Sequence, residues 1–463
     1  MAERISLQES LSKLLKQRIR ETPEYRKHIA KKSLEKIIRS DFEDFQLFQL
    51  RNTLHYVYNK SLFYRELLSK KRIEPGEVQS LADLAKLPLT EPKELAETPL
   101  RFLCVPLGEV TRVITFTSSG TTGPQKRISF SEKDIEVMTD FMGAGMSVVA
   151  TSDDVVQIML PKGMVLGQSD LLAQGVKKMG ATPVITGIEP TSEEQIQAIE
   201  RHGSTVLFCE TLRLNRITVE AKNNHDLTKL GVKVLFLTSN YLSDSTRANL
   251  QSAWNCEVFT HYGLTEMGLG VAVECPAHNG YHFNEIDLLA EVIDPETGEV
   301  LPDGEEGELV FTTLTREAMP LIRYRTHDIS RLSVKPCECG ITALKNLDRV
   351  TRRLESVVRI GEGDEIYPAM FDEALYTIPD IVGYEVSISK EGVKDSLTFQ
   401  VEIARKGAAV EESIKEMILK VPPVQKSVKM GKMTMPEIQL VTPGSLQKGS
   451  RAKKLIKDTR QEV

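Results

Sequence analysis

Thr115-Phe-Thr-Ser-Ser-Gly-Thr-Thr-Gly-Pro-Gln-Lys-Arg-Ile-Ser129 packs four hydroxyl side chains, Ser118, Ser119, Thr121 and Thr122, around Gly120 and Gly123, then adds Lys126 and Arg127. Glycines let the backbone approach a phosphate, hydroxyls and amides donate hydrogen bonds to its oxygens, and cations screen its charge. Val113-Ile114 before the loop and Ile128-Ser-Phe130 after it predict flanking β-strands. A Walker P-loop is excluded, because that pattern needs Gly-Lys-Ser/Thr ahead of a helix, and here Lys126 sits between Gln125 and Arg127. Taken alone, the composition is equally that of a flexible surface turn.

Outward from this loop the chain alternates. Ile135–Met146 predicts a helix, Val155–Leu160 a buried strand, Leu171–Met179 a helix and Thr182–Thr186 a strand. A helix over Glu193–His202, a strand over Thr205–Cys209, a helix to Asn223 and the strand Lys233–Thr238 follow. Such alternation from about 132 to 330 argues for βαβ units around a mainly parallel sheet, whose ligands bind beyond the carboxyl ends of the strands. The first 70 residues read as helices with aromatic core positions such as Phe42, Phe45 and Phe48, and Thr90 reads as the N-cap of a short helix leading to the loop. Past about 355, strands at Tyr384–Ile388, Ser396–Glu402 and Ile438–Val441 with a helix at Val410–Leu419 make a small α/β unit.

Bulk properties narrow the class. At 463 residues, 41% hydrophobic and 27% charged, the chain suits two or three soluble domains, with no apolar run long enough to span a bilayer. A net charge of -6 gives no global attraction to nucleic acid or anionic membrane. The charged start Met1-Ala-Glu-Arg4 does not look like a signal peptide, so a cytoplasmic protein is expected. Six cysteines are too few for a disulfide framework and should be thiols or metal ligands.

Two further stretches carry unusual residues. Thr260-His-Tyr-Gly-Leu-Thr-Glu-Met-Gly268 combines an aromatic able to stack on a base with a carboxylate able to hold magnesium. Pro320–Ile329 reads as a strand ending in Asp328, where an acidic residue can accept two ribose hydroxyls. A solvated loop aspartate is the plain alternative.

Ser119-Gly-Thr-Thr-Gly-x-x-Lys126, Tyr262-Gly-Leu-Thr-Glu266, Gly307-Glu-Leu-Val310 and Tyr324-Arg-Thr-x-Asp328, in this order and spacing, resemble the adenylate-forming superfamily of acyl-CoA synthetases and firefly luciferase. Ser61-Leu-Phe-Tyr-Arg65 and Ser118–Gly123 look most like its phenylacetate-CoA ligase branch. The resemblance implies an α/β fold with a large N-terminal region, 1–354, and a small mobile C-terminal lid, 355–463, near Glu355 as hinge. It implies an ATP-dependent, AMP-forming ligase that turns a carboxylic acid into an acyl-adenylate and transfers the acyl group to coenzyme A. The alternatives are another acceptor, such as a carrier-protein thiol or a cofactor hydroxyl, or a non-catalytic nucleotide-binding homologue. Carried over, Ser119, Gly120, Thr121, Thr122, Gly123 and Lys126 would wrap the β- and γ-phosphates. Tyr262, with Gly263 beside it, would stack on adenine, Thr265 would touch the α-phosphate and Glu266 would hold magnesium. Asp328 would bind the ribose, with Arg349 or Arg353 near it. Its partners would be a small carboxylic acid, ATP and coenzyme A; a homodimer is compatible, and oligomeric state is not legible.

Departures from the pattern are several. Gln125 replaces a usual proline, His327 a glycine, and Thr238-Ser-Asn-Tyr241 lacks the Gly-Ala-Glu-Pro type of adenine loop. In Gly444–Ile456, Arg451 takes the place of the adenylation lysine, with Lys448, Lys453 and Lys454 as alternatives and a solvated basic tail as the plain reading. Cys337-Glu-Cys339 with Cys275 and His282 makes a candidate structural zinc site, as in some relatives of that branch, with His278 competing for the imidazole position and three loop thiols as the plain alternative.

Overall fold

The two strands expected on either side of the opening loop both form. Strands Arg112–Thr117 and Gln125–Phe130 pair antiparallel, in register from Arg112 opposite Phe130 to Thr117 opposite Gln125. Along the second strand Lys126, Ile128 and Phe130 are buried while Gln125 and Arg127 are exposed. A computed structural model describes residues 3–29, 34–117, 125–404, 410–446 and 456–460. The chain divides into two compact units: Met1–Asp153 with Gly163–Pro183 and His261–Val350, and Asp154–Lys162 with Val184–Thr260 and Thr351–Val463.

The first unit joins N-terminal helices to an antiparallel sheet. Helices Leu7–Glu21, Arg39–Lys60 and Leu62–Lys71 match the helical reading of the first 70 residues. Ser61 caps the last of them through its hydroxyl to the Tyr64 amide. Strands Leu288–Ile293, Glu306–Thr313 and Tyr324–Ser333 pair antiparallel in sequence, and Leu269–Glu274 pairs with Tyr281–Phe283 in the same sense. The parallel pairing expected up to 330 therefore stops near 260: from there to Ser333 no α-helix separates successive strands, and their short connections go with antiparallel pairing. One apolar cluster including Tyr64, Phe102, Phe130, Phe283, Phe311 and Tyr324 fills this unit.

The second unit holds the parallel strands. Val155–Met159, Val206–Glu210, Val234–Thr238 and the start of Glu257–Leu264 lie side by side, with helices Ser192–His202, Thr211–Ala221 and Asp244–Trp254 between them in sequence. Their near-continuous apolar runs are buried on both faces, as parallel strands require. After Thr351, strands Ile381–Glu391 and Lys394–Ile403 form the centre of a four-stranded sheet flanked by Glu437–Val441 and Ile456–Asp458. This C-terminal part fastens to the helix Thr211–Ala221. Arg216 grips the buried Glu402 carboxylate at 2.5 and 2.8 Å, and Asn215 donates to the carbonyls of Ile381 and Val382 at 3.1 and 3.2 Å. Among the described residues no helix is long and apolar enough to cross a membrane.

Thr90 departs from its expected role. Its hydroxyl donates to the Ile322 carbonyl at 2.6 Å and meets the Tyr64 hydroxyl, so a buried tertiary contact replaces the cap. Glu91 is the N-cap of helix Pro92–Glu97, and the Glu94 carboxylate accepts its amide.

Candidate nucleotide and metal site

Lys126 projects from the inward face of its strand because its register places it with Ile128 and Phe130. Its Nζ donates to Glu266 Oε1 at 3.0 Å and to the Tyr324 hydroxyl at 2.9 Å, and that hydroxyl donates to the same Glu266 oxygen at 2.8 Å. The ammonium also lies 5.9 Å from the Phe116 ring centre and 5.7 Å from that of Tyr324. A cation, a phenol and a carboxylate are thus closed into one buried triangle. Tyr324 was part of the motif that pointed here but carried no role.

Glu266 stands in the short turn Thr265–Met267, directly after strand Glu257–Leu264. Gly263 lies near the end of that strand, where a Cβ would come within 2.5 Å of the Leu269 carbonyl oxygen, so only glycine fits. Tyr262 is buried and donates its hydroxyl to Asp328 Oδ2 at 2.5 Å. Asp328 does not end its strand as expected; it lies inside Tyr324–Ser333. Val310 pairs with Arg325 and Glu308 with Ile329, so three residues bulge opposite Leu309. His327 occupies the bulge at φ 60, a left-handed conformation that suits the glycine it replaces. The bulge turns Asp328 toward Tyr262 and is held by Thr326 Oγ1, which accepts the Asp328 amide at 3.1 Å, and by Glu308 Oε1, which accepts the His327 amide at 3.0 Å.

The remaining expected residues divide three ways. Ser119, Gly120, Thr121, Thr122, Gly123 and Arg451 lie outside the described residues. Arg349 donates its amide to the Asp348 carboxylate at 2.8 Å. Arg353 lies in the other unit on the two-residue strand Arg352–Arg353, its amide donating to Ser356 Oγ at 3.4 Å.

The second constellation is a Cys/His cluster in the first unit. One ligand atom from each of Cys275, His282, Cys337 and Cys339 falls within 4.8 Å of every other. The Sγ atoms of Cys275 and Cys337 are 3.7 Å apart, and Cys339 Sγ is 3.4 Å from His282 Nε2. A tetrahedron with zinc–sulfur bonds of about 2.3 Å and a zinc–nitrogen bond of about 2.0 Å has edges of roughly 3.8 and 3.5 Å, so these donors fit the ion. His282 Nδ1 lies 2.9 Å from the Lys345 carbonyl, which fixes the ring and turns Nε2 inward. Lys345 is anchored in turn by its amide to Glu285 at 2.6 Å, and Glu285 is paired with Arg39. His278 faces Glu274 at 3.3 Å instead. The Cys275 thiol is pushed up to about 12 by its hydrogen bond to Cys339 and by burial, whereas Cys339, receiving that bond, is held below the ordinary thiol range.

Residues 65–314 match the model of the AMP-binding enzyme family, and residues 363–460 match that of the AMP-binding enzyme C-terminal domain. The chain belongs to the AMP-binding enzyme family. Within this family it is 32% identical over 376 residues to a phenylacetate-coenzyme A ligase from Aromatoleum evansii, covering 80% of this chain and 83% of that one. It is 30% identical over 379 residues to a phenylacetate-coenzyme A ligase from Thermus thermophilus, again covering 80% and 83%. In fold this AMP-binding enzyme is similar to 2-hydroxyisobutyryl-CoA ligase bound to its acyl-AMP, with a TM-score of 0.78, 19% identity and 90% of each chain covered.

Proposed function

We propose that this chain activates an aryl or acyl carboxylic acid with ATP and passes the acyl group to the thiol of coenzyme A, releasing AMP. The observation that carries the reading is the buried triangle of Lys126, Tyr324 and Glu266, drawn from three of the four motif segments, beside the Tyr262–Asp328 pair from two of them. A carboxylate is a poor electrophile. Its oxygen attacks the α-phosphorus of ATP, the bond to the bridging oxygen breaks, and pyrophosphate leaves. The thiol then attacks the acyl carbon of the mixed anhydride, the carbon–oxygen bond to AMP breaks, and the thiol proton goes to solvent.

In this scheme Lys126 turns from Glu266 to the β- and γ-phosphates together with the loop Ser119–Gly123. Glu266 contributes the hard oxygen ligand that magnesium takes beside substrate phosphates, and the ion, when bound, offsets phosphate charge. Tyr262 stacks on adenine, Thr265 meets the α-phosphate, and Asp328 accepts the ribose hydroxyls, with Arg349 or Arg353 beside them. Arg451 supplies the cation of the adenylation step. The two family matches support a functional division into 1–354 and a C-terminal lid at 355–463. Cys275, His282, Cys337 and Cys339 would hold a structural zinc, because four protein ligands leave no open position for chemistry. Six unpaired cysteine thiols support a reducing, cytoplasmic setting.

Full-length protein incubated with ATP, magnesium, coenzyme A and a panel of aryl and aliphatic acids should yield AMP and an acyl-CoA, read by mass spectrometry. ATP binding without AMP formation for any acid would remove the ligase reading.

A further inference from the structure

Glu402 stands where the chain leaves strand Glu437–Val441. It lies on the neighbouring strand Lys394–Ile403, directly opposite Val441, the final residue before the exit. Just beyond, Thr442-Pro-Gly-Ser445 closes a type II turn: Pro443 takes its second position, Gly444 its third at φ 87, and the Ser445 amide donates to the Thr442 carbonyl at 3.1 Å. The turn brings the chain back over Glu402, whose Oε1 accepts the Gly444 amide at 2.6 Å and whose Oε2 accepts the Leu446 amide at 3.3 Å.

The same two oxygens also take Arg216 from helix Thr211–Ala221, Oε1 at 2.5 Å and Oε2 at 2.8 Å. Each oxygen of one fully buried carboxylate thus holds one guanidinium nitrogen and one backbone amide. Without Arg216 the charge would keep only the two amides. A buried carboxylate so underpaired draws in water or swings outward, and either response loosens Gly444 and Leu446. The rest of the helix's hold on the C-terminal part is also polar. Asn215 donates to the carbonyls of Ile381 and Val382, and Lys222 donates to the Pro379 carbonyl at 3.0 Å and to Asp380 at 2.9 Å. Contacts of this kind exchange for water at little net cost, so the one that also holds a second segment decides what a loosened seam releases.

We propose that Glu402 is a positioning residue for acid activation: engaged by Arg216, it fixes the segment Gly444–Leu446 in the same contact that docks the C-terminal part on helix Thr211–Ala221. The inference rests on the ligase reading and deepens it. The sequence that follows Leu446 carries Arg451, the cation assigned to the adenylation step. A broken joint should therefore slow formation of the acyl-adenylate and spare transfer of its acyl group to coenzyme A. Lys222 docks the same helix without touching Glu402 and serves as control.

The test measures both half-reactions on the full chain: acid-stimulated exchange of pyrophosphate into ATP, and acyl-CoA formation from the synthetic acyl-adenylate of the same acid. Arg216→Met should lower exchange about tenfold or more while transfer stays within about twofold. Arg216→Lys, which keeps the charge but not the paired donors, should shift the ratio less, and Lys222→Met should leave it unchanged. Hydrogen exchange read by mass spectrometry should quicken about tenfold or more in the Arg216→Met peptide that contains Gly444 and Leu446. An unchanged ratio of the two rates in a natively melting Arg216→Met protein, whether both hold or both fall, overturns the role. So does an equal shift in Lys222→Met. If Arg216→Met does not fold, an unshifted ratio in Arg216→Lys overturns it. Wild-type protein that exchanges with no acid removes the ligase reading instead; hydrogen exchange alone then decides the joint, and an unquickened Gly444–Leu446 peptide overturns it.

Discussion

Glu266 and Lys126 meet across 140 residues of sequence, and Tyr324 closes the contact from a third segment. Removing one partner of a buried ion pair leaves the other charge without compensation, at a cost of about 3–5 kcal/mol, unless the substituent still accepts a hydrogen bond. Glu266→Gln keeps one acceptor for Lys126 and Tyr324, so the protein should fold with a lowered melting temperature while acid-dependent pyrophosphate release falls on the order of 100-fold or more. Unaltered turnover in that variant would end the assignment of Glu266 as magnesium ligand. His327 offers the opposite prediction. A left-handed conformation costs a non-glycine residue about 1–2 kcal/mol, so His327→Gly should raise stability by up to ~1 kcal/mol after the entropy of the more flexible unfolded chain is subtracted. Thermal unfolding of the variant measures this; a lower melting temperature would show that the His327 side chain contributes more than its backbone costs. The sequence marked His327 as a departure but could not show the bulge, because the two-strand register that creates it depends on Glu308 and Val310 in another segment.

Among elements, the grouping of Cys275, His282, Cys337 and Cys339 was legible only in part from Cys-x-Cys and the earlier Cys and His, and the resemblance to relatives with such a site supplied the rest. Choosing His282 over His278 followed from its place on strand Tyr281–Phe283, and the Lys345 carbonyl now gives that choice a physical basis. Chelator treatment, or Cys339→Ser, should lower the melting temperature by at least about 5 °C, and metal analysis of untreated protein should find one zinc per chain. Protein without zinc, with native-state thiols that titrate freely, would contradict the site. Thr90 shows why caps are harder to read: the same Thr-x-Pro that looks like a helix start also supplies a hydroxyl that a distant carbonyl, Ile322, can claim. No local pattern reports that competition.

At the scale of the whole molecule, the βαβ alternation from 155 to 260 was legible because each parallel strand needs a long crossover, and each crossover wrote a helical period into the sequence. The switch to antiparallel pairing after 260 was not legible, since apolar runs such as Leu309–Phe311 look alike in either kind of strand. The hold of the C-terminal part on helix Thr211–Ala221 was not legible at all: Arg216 and Glu402 are ordinary charges until the fold buries them together. Burial alone would raise the Glu402 pKa, but hydrogen bonds from Arg216 and the Gly444 amide, 2.6 Å away, more than offset it and hold it below the ordinary value of 4.5. A carboxyl depressed in the folded state stabilises fully above its unfolded pKa and loses that contribution as pH falls through the folded pKa. Wild-type stability should therefore decline as pH drops below about 4.5, and Glu402→Gln, less stable at pH 7, should show a shallower decline there; parallel pH profiles would remove Glu402 from this role.

Exchange of labelled pyrophosphate into ATP isolates the first half-reaction from the choice of acceptor and tests acid activation most directly. Addition of one or more carboxylic acids to the full chain with magnesium and ATP should stimulate exchange strongly, and Glu266→Gln should abolish the stimulation. Binding of ATP with no acid-stimulated exchange across a broad panel of acids would contradict it.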